Sequence, residues 1–405
     1  MTTDYPTLVR VDAAETGLDP AAFEALDAFV AAGTGAGGAS PRLYAGAVLL
    51  VAHRARIVHE AAFGHAQTHE GTQPLAEPGE MRTDTIFDLG SLTKVAATTA
   101  AVMKLVDEGV LRLDHTLGRY LAEVGSEKGG ITLHQLLTHR SGLWEWQPTY
   151  LHAREPGEAL RFVANLGLRY GIGEGHHYSD LGFMLLGVIV ERVTGRPLDD
   201  YVRSEIHEPL GMTDTWFTPD PALRGRIAAT SFGNPYEHRM IATGSPYPVD
   251  GRPDDFDGWR DSTLLGEVND GNAWYAWGGV AGHAGLFSTA GDLAVFGQAL
   301  VNGCGYGPAR LASANTVNAF LTEPYDEGQA IGFRSRRLPG SDALPVGEGG
   351  FGHGGFTGIE LLFDPSRDLV VVLLTSRQHP GEPYGSIEPV WDGVLRRVLA
   401  ALPSE

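Results

Sequence analysis

Two pairs of apolar runs, one near each end of the chain, constrain the fold more tightly than any other feature of the sequence. Near the start, "YAGAVLLVAHRARIVHEAAFGHA" (44–66) holds two apolar stretches separated by a polar "HRAR". Near the end, "GIELLFDPSRDLVVVLLTS" (358–376) holds two more around a "DPSRD" turn. Both read as strand hairpins, the first with strands around 45–52 and 56–63. Between them the pattern is helical up to about residue 210. Residues 92–109 form a helix ended by Gly109, "TLHQLLTH" has a cap at Thr132, and "LGFMLLGVIVERVTG" is a buried helix closed by Gly195. Two further helices flank the hairpins. In "LDPAAFEALDAFVAAG", Asp19 caps and Phe23, Leu26, Phe29 and Val30 share a face, and "SIEPVWDGVLRRVLAAL" is a final amphipathic helix.

The expected fold is therefore α/β in the α+β sense: an antiparallel sheet flanked by N- and C-terminal helices, with a mostly helical subdomain inserted. Residues 1–87 and 286–405 supply the sheet subdomain and 88–285 the helical one with the active-site loops. A chain of 405 residues is long enough for two packed subdomains. The stretch 215–285, rich in Pro, Gly, Asp and Trp, is long for a structureless connection and suggests binding or lid duty.

Charge and cysteine content narrow the function. A net charge of -20 argues against nucleic acid or an anionic membrane surface as partner, because both select clustered Lys and Arg. The single cysteine, Cys304, excludes an intrachain disulfide and a cysteine-based zinc site. His65 and His69 have i, i+4 spacing but no evident third ligand, so no metal and no cofactor is expected. The N-terminal residues lack a basic region followed by an apolar stretch, and no run of about 18 uncharged apolar residues occurs; the expected location is cytoplasmic.

Only three of the 30 basic residues are lysines, and one of them, Lys94, lies three residues after Ser91 in "FDLGSLTKVAATTAAVMKLVDEG" (87–109). On a helix, positions i and i+3 project from the same face. A serine hydroxyl is a poor nucleophile at neutral pH, and a lysine amine takes its proton only when the amine is itself neutral. Burial and nearby positive charge lower a lysine pKa from its usual value of about 10.4. In "GHHYSDLGFMLLG", Tyr178 precedes a buried helix. Beside the serine and lysine it would relay a proton; the alternative is a half-buried tyrosine next to a helix cap made by Ser179 or Asp180. In "FGHGGFTGIELLFDP", His353 is flanked by glycines just before a strand, and Gly354 and Gly355 would let the backbone approach a ligand; the alternative is a Gly-rich turn. The loop "GEVNDGNAWYAWGGVAGHAG" (266–285) gathers Asp270, Asn272, Trp274, Trp277 and His283. Its tryptophans would shape an apolar acyl pocket and Asn272 would bind a substrate carbonyl, with ordinary lid packing an equal alternative. No Gly-x-Ser-x-Gly elbow is present, which argues against the α/β-hydrolase route.

In their order and spacing these motifs resemble the serine β-lactamase and penicillin-binding protein superfamily, and within it the class C-like esterase branch. Further matches are "TLHQLLTHRSGL" (132–143), "GGVAGHAGLFSTAGDLAVF" (278–296) and "LVVVLLTSRQHP" (369–380), so the resemblance runs from about residue 45 to the C-terminus. It implies a β-lactamase/transpeptidase-like fold with Ser91 as the acylated nucleophile, Lys94 as its general base and Tyr178 assisting proton transfer to the leaving group. It also implies His353 in the place of the lysine of Lys-Thr-Gly, and an oxyanion hole from the backbone N–H groups of Ser91 and Phe356. One such donor is worth about 3 kcal/mol. Asp180, Asn272, Trp274, Trp277, Gly354 and Gly355 are the expected substrate contacts.

Two departures from the family pattern carry consequences. Asp180 stands where asparagine is usual, so a carboxylate near Lys94 holds it protonated unless burial offsets the effect. His353 in place of lysine removes a positive charge that would attract a carboxylate. The expected activity is hydrolysis of an uncharged, small-molecule ester or amide through an acyl-enzyme at Ser91. The alternatives are a transacylase passing the acyl group to an alcohol or amine, a D-alanyl peptidase or β-lactamase, and a catalytically silent scaffold.

Overall fold

The apolar runs from the two ends of the chain lie side by side. In the computed structural model, which describes residues 4–16, 18–35, 42–322, 325, 328–336, 350–381 and 385–402, they form the centre of an eight-stranded sheet. In chain order its strands are β1 (Val9–Arg10), β2 (Gly46–His53), β3 (Arg56–Glu70), β4 (Gln73–Glu80), β5 (Arg334–Arg336), β6 (Gly350–Gly355), β7 (Ile359–Asp364) and β8 (Leu369–Thr375). Across the sheet the order is β1-β3-β2-β8-β7-β6-β5, with β4 paired to β3. All pairings are antiparallel except β1 with β3. The two chain ends meet at β2 and β8, where Leu49 faces Leu373 and Val51 faces Val371.

This junction explains why the runs are continuously apolar instead of alternating. The main helices are α1 (Pro20–Ala32), α2 (Ala100–Asp107), α3 (Asp180–Thr194), α4 (Ala290–Val301) and α5 (Glu388–Ala401). Successive side chains on a strand point to opposite faces. Leu49, Val51, Val371 and Leu373 pack with α1 and α5, and Val48, Leu50, Val370 and Val372 pack on the α4 side. Each such side chain contributes about 1.5–3 kcal/mol relative to exposure, so both faces demand apolar residues. The antiparallel sheet flanked by the N- and C-terminal helices is as the sequence predicts, with both helices packed together on one face.

Three local features differ from the expectation. The second hairpin strand does not stop near 63 but continues to Glu70, turns at Gly71 (φ +58°) and returns as β4. Most of residues 64–80 are exposed or half-buried, so this ladder leaves no apolar period to read. The glycine-rich run around His353 is not a turn ahead of a strand; it is itself strand β6. The stretch 215–285 contains a helix, Pro235–Thr243, with proline in its first turn. No helix among the described residues is long and apolar enough to cross a membrane.

The fold brings three segments to one place. The serine-bearing turn Gly90–Leu92 follows the short strand Phe87–Asp88, and the chain continues through wide helical turns over Lys94–Thr99 into α2. The α3 helix packs against these turns with its N-terminus, capped by Ser179 Oγ accepting from Gly182 N, beside Lys94. The β6 strand runs along the serine-bearing turn.

Candidate active site

The turn that presents Ser91 is held by a buried carboxylate. Asp88 Oδ1 accepts from Gly90 N at 2.9 Å and Oδ2 accepts from Asn269 N at 2.6 Å, while the Thr357 hydroxyl donates to the Asp88 carbonyl at 2.8 Å. One residue thus ties together the serine turn, the 269 loop and the segment after β6. Burial pushes the Asp88 carboxyl up to about 6 against the two backbone donors that favour its charge. Gly90 has φ +49°, and a Cβ there would sit 3.3 Å from Phe356 N and 3.2 Å from Thr357 Oγ1. At Gly355 a Cβ would meet the Leu89 carbonyl at 2.2 Å. Both glycines are required for the backbone near Phe356 to lie against the backbone near Ser91.

Lys94 is fully buried. Its Nζ donates to Ser91 Oγ at 2.8 Å and to the His283 carbonyl at 3.3 Å, and lies 2.7 Å from Asp180 Oδ1. The pair is an ion pair at hydrogen-bonding distance. Burial disfavours the ammonium, but the Asp180 carboxylate and the adjacent Tyr178 outweigh it and raise the Lys94 pKa above its ordinary value. The neutral resting amine that a general base requires is therefore corrected: in the free site Lys94 carries its proton. Ser179, not Asp180, caps the helix, which leaves Asp180 for the lysine.

Tyr178 lies over the lysine, with Nζ 4.8 Å from the ring centroid, and its hydroxyl is buried beside the ammonium. Two imidazoles flank its ring. His139, within the "TLHQLLTHRSGL" match, is 4.5 Å away between centroids and accepts from Ser179 N through Nδ1 at 3.0 Å. His353 is 5.8 Å away, and its Nδ1–H donates to the Gly354 carbonyl at 2.6 Å. Burial, then the charges of Arg334 and Lys94, push the His353 pKa well below its ordinary value, so the ring is neutral. It reaches the site through the Tyr178 ring and does not line the cavity at Ser91.

That cavity, of about 180 Å³, is walled by Trp146, Tyr178, Asp180, Tyr236, Tyr247 and Asp270, with Glu237 and Phe356 beside them. Asp270 Oδ1 lies 3.0 Å from His283 Nε2 and accepts from Ala273 N at 2.7 Å. Burial raises its pKa, but His283, the Ala273 N–H and Lys94 outweigh this and hold it below the usual carboxylate value. Glu237, which accepts from Tyr150 Oη and Gly271 N, is pushed up to about 8 by burial and by Asp270. One neighbouring carboxyl is thus ionised and the other protonated at neutral pH.

Five expected substrate contacts do not line this cavity, among them Gly355, which packs against the Leu89 carbonyl. Asn272 is fully buried and spends its side chain on the backbone: Oδ1 accepts from Thr149 N and Oγ1, each at 2.7 Å, and Nδ2 donates to the Gln147 carbonyl at 2.9 Å. Trp274 lies on the surface with the Arg260 guanidinium 4.8 Å from its ring, and Trp277 is buried in the core. Gly354 pairs with Glu360 and faces that side chain. Conversely, Trp146, Tyr236, Glu237 and Tyr247 carry no motif that singles them out; they meet only because segments distant in sequence converge.

A family profile described as Beta-lactamase matches residues 35–392. A protein from Escherichia coli, provisionally named D-alanyl-D-alanine carboxypeptidase, is 34% identical over 398 residues, covering 93% of this chain and 87% of its own. The N-acetylmuramyl-L-alanine amidase of Bacillus subtilis is 34% identical over 359 residues, covering 83% of this chain and 78% of its own. Among solved structures, a penicillin-binding protein homologue from Caulobacter crescentus superposes with a TM-score of 0.67 at 22% identity, covering 95% of this chain and 99% of its own, and so shares the fold.

Proposed function

This chain belongs to the beta-lactamase family of serine hydrolases, and from that premise we propose that it cleaves a small ester or amide through a covalent acyl-enzyme at Ser91. The observation that carries this reading is the buried Lys94 ammonium lying 2.8 Å from Ser91 Oγ and 2.7 Å from Asp180 Oδ1. Ser91 Oγ attacks the carbonyl carbon and its proton passes to Nζ as Lys94 hands one of its own to Asp180. The lysine stays charged, and Asp180 stores the proton. An asparagine at position 180 has no such capacity. The C–O or C–N bond to the leaving group then breaks as Tyr178 gives its phenol proton to the departing atom and is reprotonated by Lys94, which takes back the proton stored on Asp180. Water repeats the sequence in reverse, releasing the acid. The backbone N–H groups of Ser91 and Phe356 hold the oxyanion, and His353 and His139 support the Tyr178 ring from either side.

No lysine or arginine is among the described residues lining the cavity, which supports an acyl group without negative charge. The names of the Escherichia coli and Bacillus subtilis relatives favour an amide over an ester. Transfer to an alcohol or amine shares every step up to the acyl-enzyme and differs only in the acceptor. The cytoplasmic location belongs to the same proposal. Turnover of 4-nitrophenyl acetate tests the reading: the expected result is rapid release of about one equivalent of nitrophenol followed by slower turnover, with both phases absent from Ser91→Ala. Equal release by the Ser91→Ala protein would overturn it.

A further inference from the structure

The wall of the cavity opposite the proton-transfer groups in composition is aromatic and acidic. Trp146, Tyr236 and Tyr247 line it, and with them Asp270, whose side chain is one-fifth exposed and makes no ion pair with Lys94. His283 and the Ala273 N–H both contact Oδ1 of Asp270 and fix the orientation of the carboxylate. Asp180 is matched by Lys94, whereas no basic side chain among the described residues lining the cavity is available to match a ligand anion. The guanidiniums of Arg334, 5.4 Å from the Tyr178 ring, and Arg239, 5.0 Å from the Tyr236 ring, lie outside that lining, the latter showing that this ring accepts a cation. Aromatic rings attract cations through their quadrupoles, and a carboxylate lining the same cavity completes a site for an ammonium ion.

We propose that the acyl group this site accepts carries an ammonium, held by the Asp270 carboxylate among Trp146, Tyr236 and Tyr247. The proposal rests on the acyl-enzyme reading above and revises the expected uncharged substrate to a cationic one. In a cavity of about 180 Å³ that also contains Ser91, the ammonium sits within a few bonds of the reacting carbonyl, as in an α- or β-aminoacyl ester or amide. No step of the reaction changes: the ammonium stays protonated throughout and serves only to bind and orient the acyl group.

Three 4-nitrophenyl esters of nearly equal shape separate charge from size: those of alanine in each enantiomer, of isobutyric acid, and of methylmalonic acid as the half-ester. Each enzymatic kcat/KM is divided by the rate of spontaneous hydrolysis of the same ester, which removes the activating effect of the ammonium itself. The expected result is a preference of at least about tenfold for one alanine ester over isobutyrate, with methylmalonate poorest. Asp270→Asn keeps an oxygen for His283 and Ala273 N and is expected to cut that preference about tenfold. Tyr236→Leu, on an independent helix, is expected to reduce it about threefold. Isobutyrate turned over as well as or better than alanine in a Ser91-dependent reaction would overturn the ammonium assignment and leave the acyl-enzyme reading standing. So would a preference unchanged in both variants. Turnover of all three esters that persists in Ser91→Ala would overturn both.

Discussion

The two sides of Ser91 are built in opposite ways. On one side, Lys94, Asp180 and Tyr178 come from two short segments and are in direct contact, a buried lysine between half-buried partners with a proton to pass among them. On the other, Trp146, Tyr236, Tyr247 and Asp270 come from a helix and from loops distant in sequence, and their role is to shape and charge a cavity. Reaction chemistry is concentrated where local spacing fixes geometry. Selection is spread over surfaces that only tertiary folding assembles. Substitutions on the first side should therefore change rate with every substrate, and substitutions on the second should change preference among substrates.

The sharpest break in that contrast comes from Lys94→Met, which removes the hydrogen bond that links Ser91 Oγ to the proton relay. A loss of at least about 10³-fold in kcat is expected on any ester. A loss under tenfold would remove Lys94 from the mechanism. Asp180→Asn comes next, with a loss of about 10²-fold near neutral pH and an altered pH profile. With the carboxylate gone, only Tyr178 still opposes burial, the largest influence on Lys94, and the lysine pKa falls. A neutral amine then becomes available as pH rises, so kcat/KM of the variant should climb through alkaline pH where the parent is flat. Parallel profiles would contradict the role of Asp180 as proton store.

Two smaller effects sharpen the second side. Asn272→Ala leaves buried backbone groups of Gln147 and Thr149 without partners and should cost about 1–3 kcal/mol of stability by denaturant unfolding. The ratio of rates between the alanine and isobutyrate esters should stay as in the parent, because the side chain does not reach the cavity. A changed ratio would return Asn272 to substrate binding. Glu237 has the smallest expected effect, a pH dependence. Its carboxyl titrates near 8 when folded and at an ordinary 4.5 when unfolded. The folded state holds the proton that the unfolded state gives up, so stability is full below about 4.5 and falls as pH rises towards 8. Glu237→Gln should flatten that fall in urea midpoints; an identical slope would place the buried proton elsewhere.

The same contrast decides what was legible in the sequence. The sheet could be read because β2 and β8 are buried on both faces and write that burial as continuous apolar runs. The exposed β3–β4 ladder writes nothing comparable. Ser91 and Lys94 were legible because three residues of spacing already place them together. Asp180 was legible as a departure, but its consequence required the distance to Nζ and the balance between burial and charge. Asn272 and the two tryptophans were misassigned as substrate contacts because loop composition indicates that residues gather, not which way they face. Tyr236 and Tyr247 had no signal at all, since their meeting depends on the path of the chain between 232 and 250.

The account depends above all on Ser91 becoming the acylated residue, and peptide mapping by mass spectrometry after reaction with a small alkyl fluorophosphonate tests that most directly. The predicted result is one adduct per chain, on the peptide containing Ser91, absent in Ser91→Ala and slowed at least about 10²-fold in Lys94→Met. An adduct on another residue, or one that forms equally fast without Lys94, would contradict it.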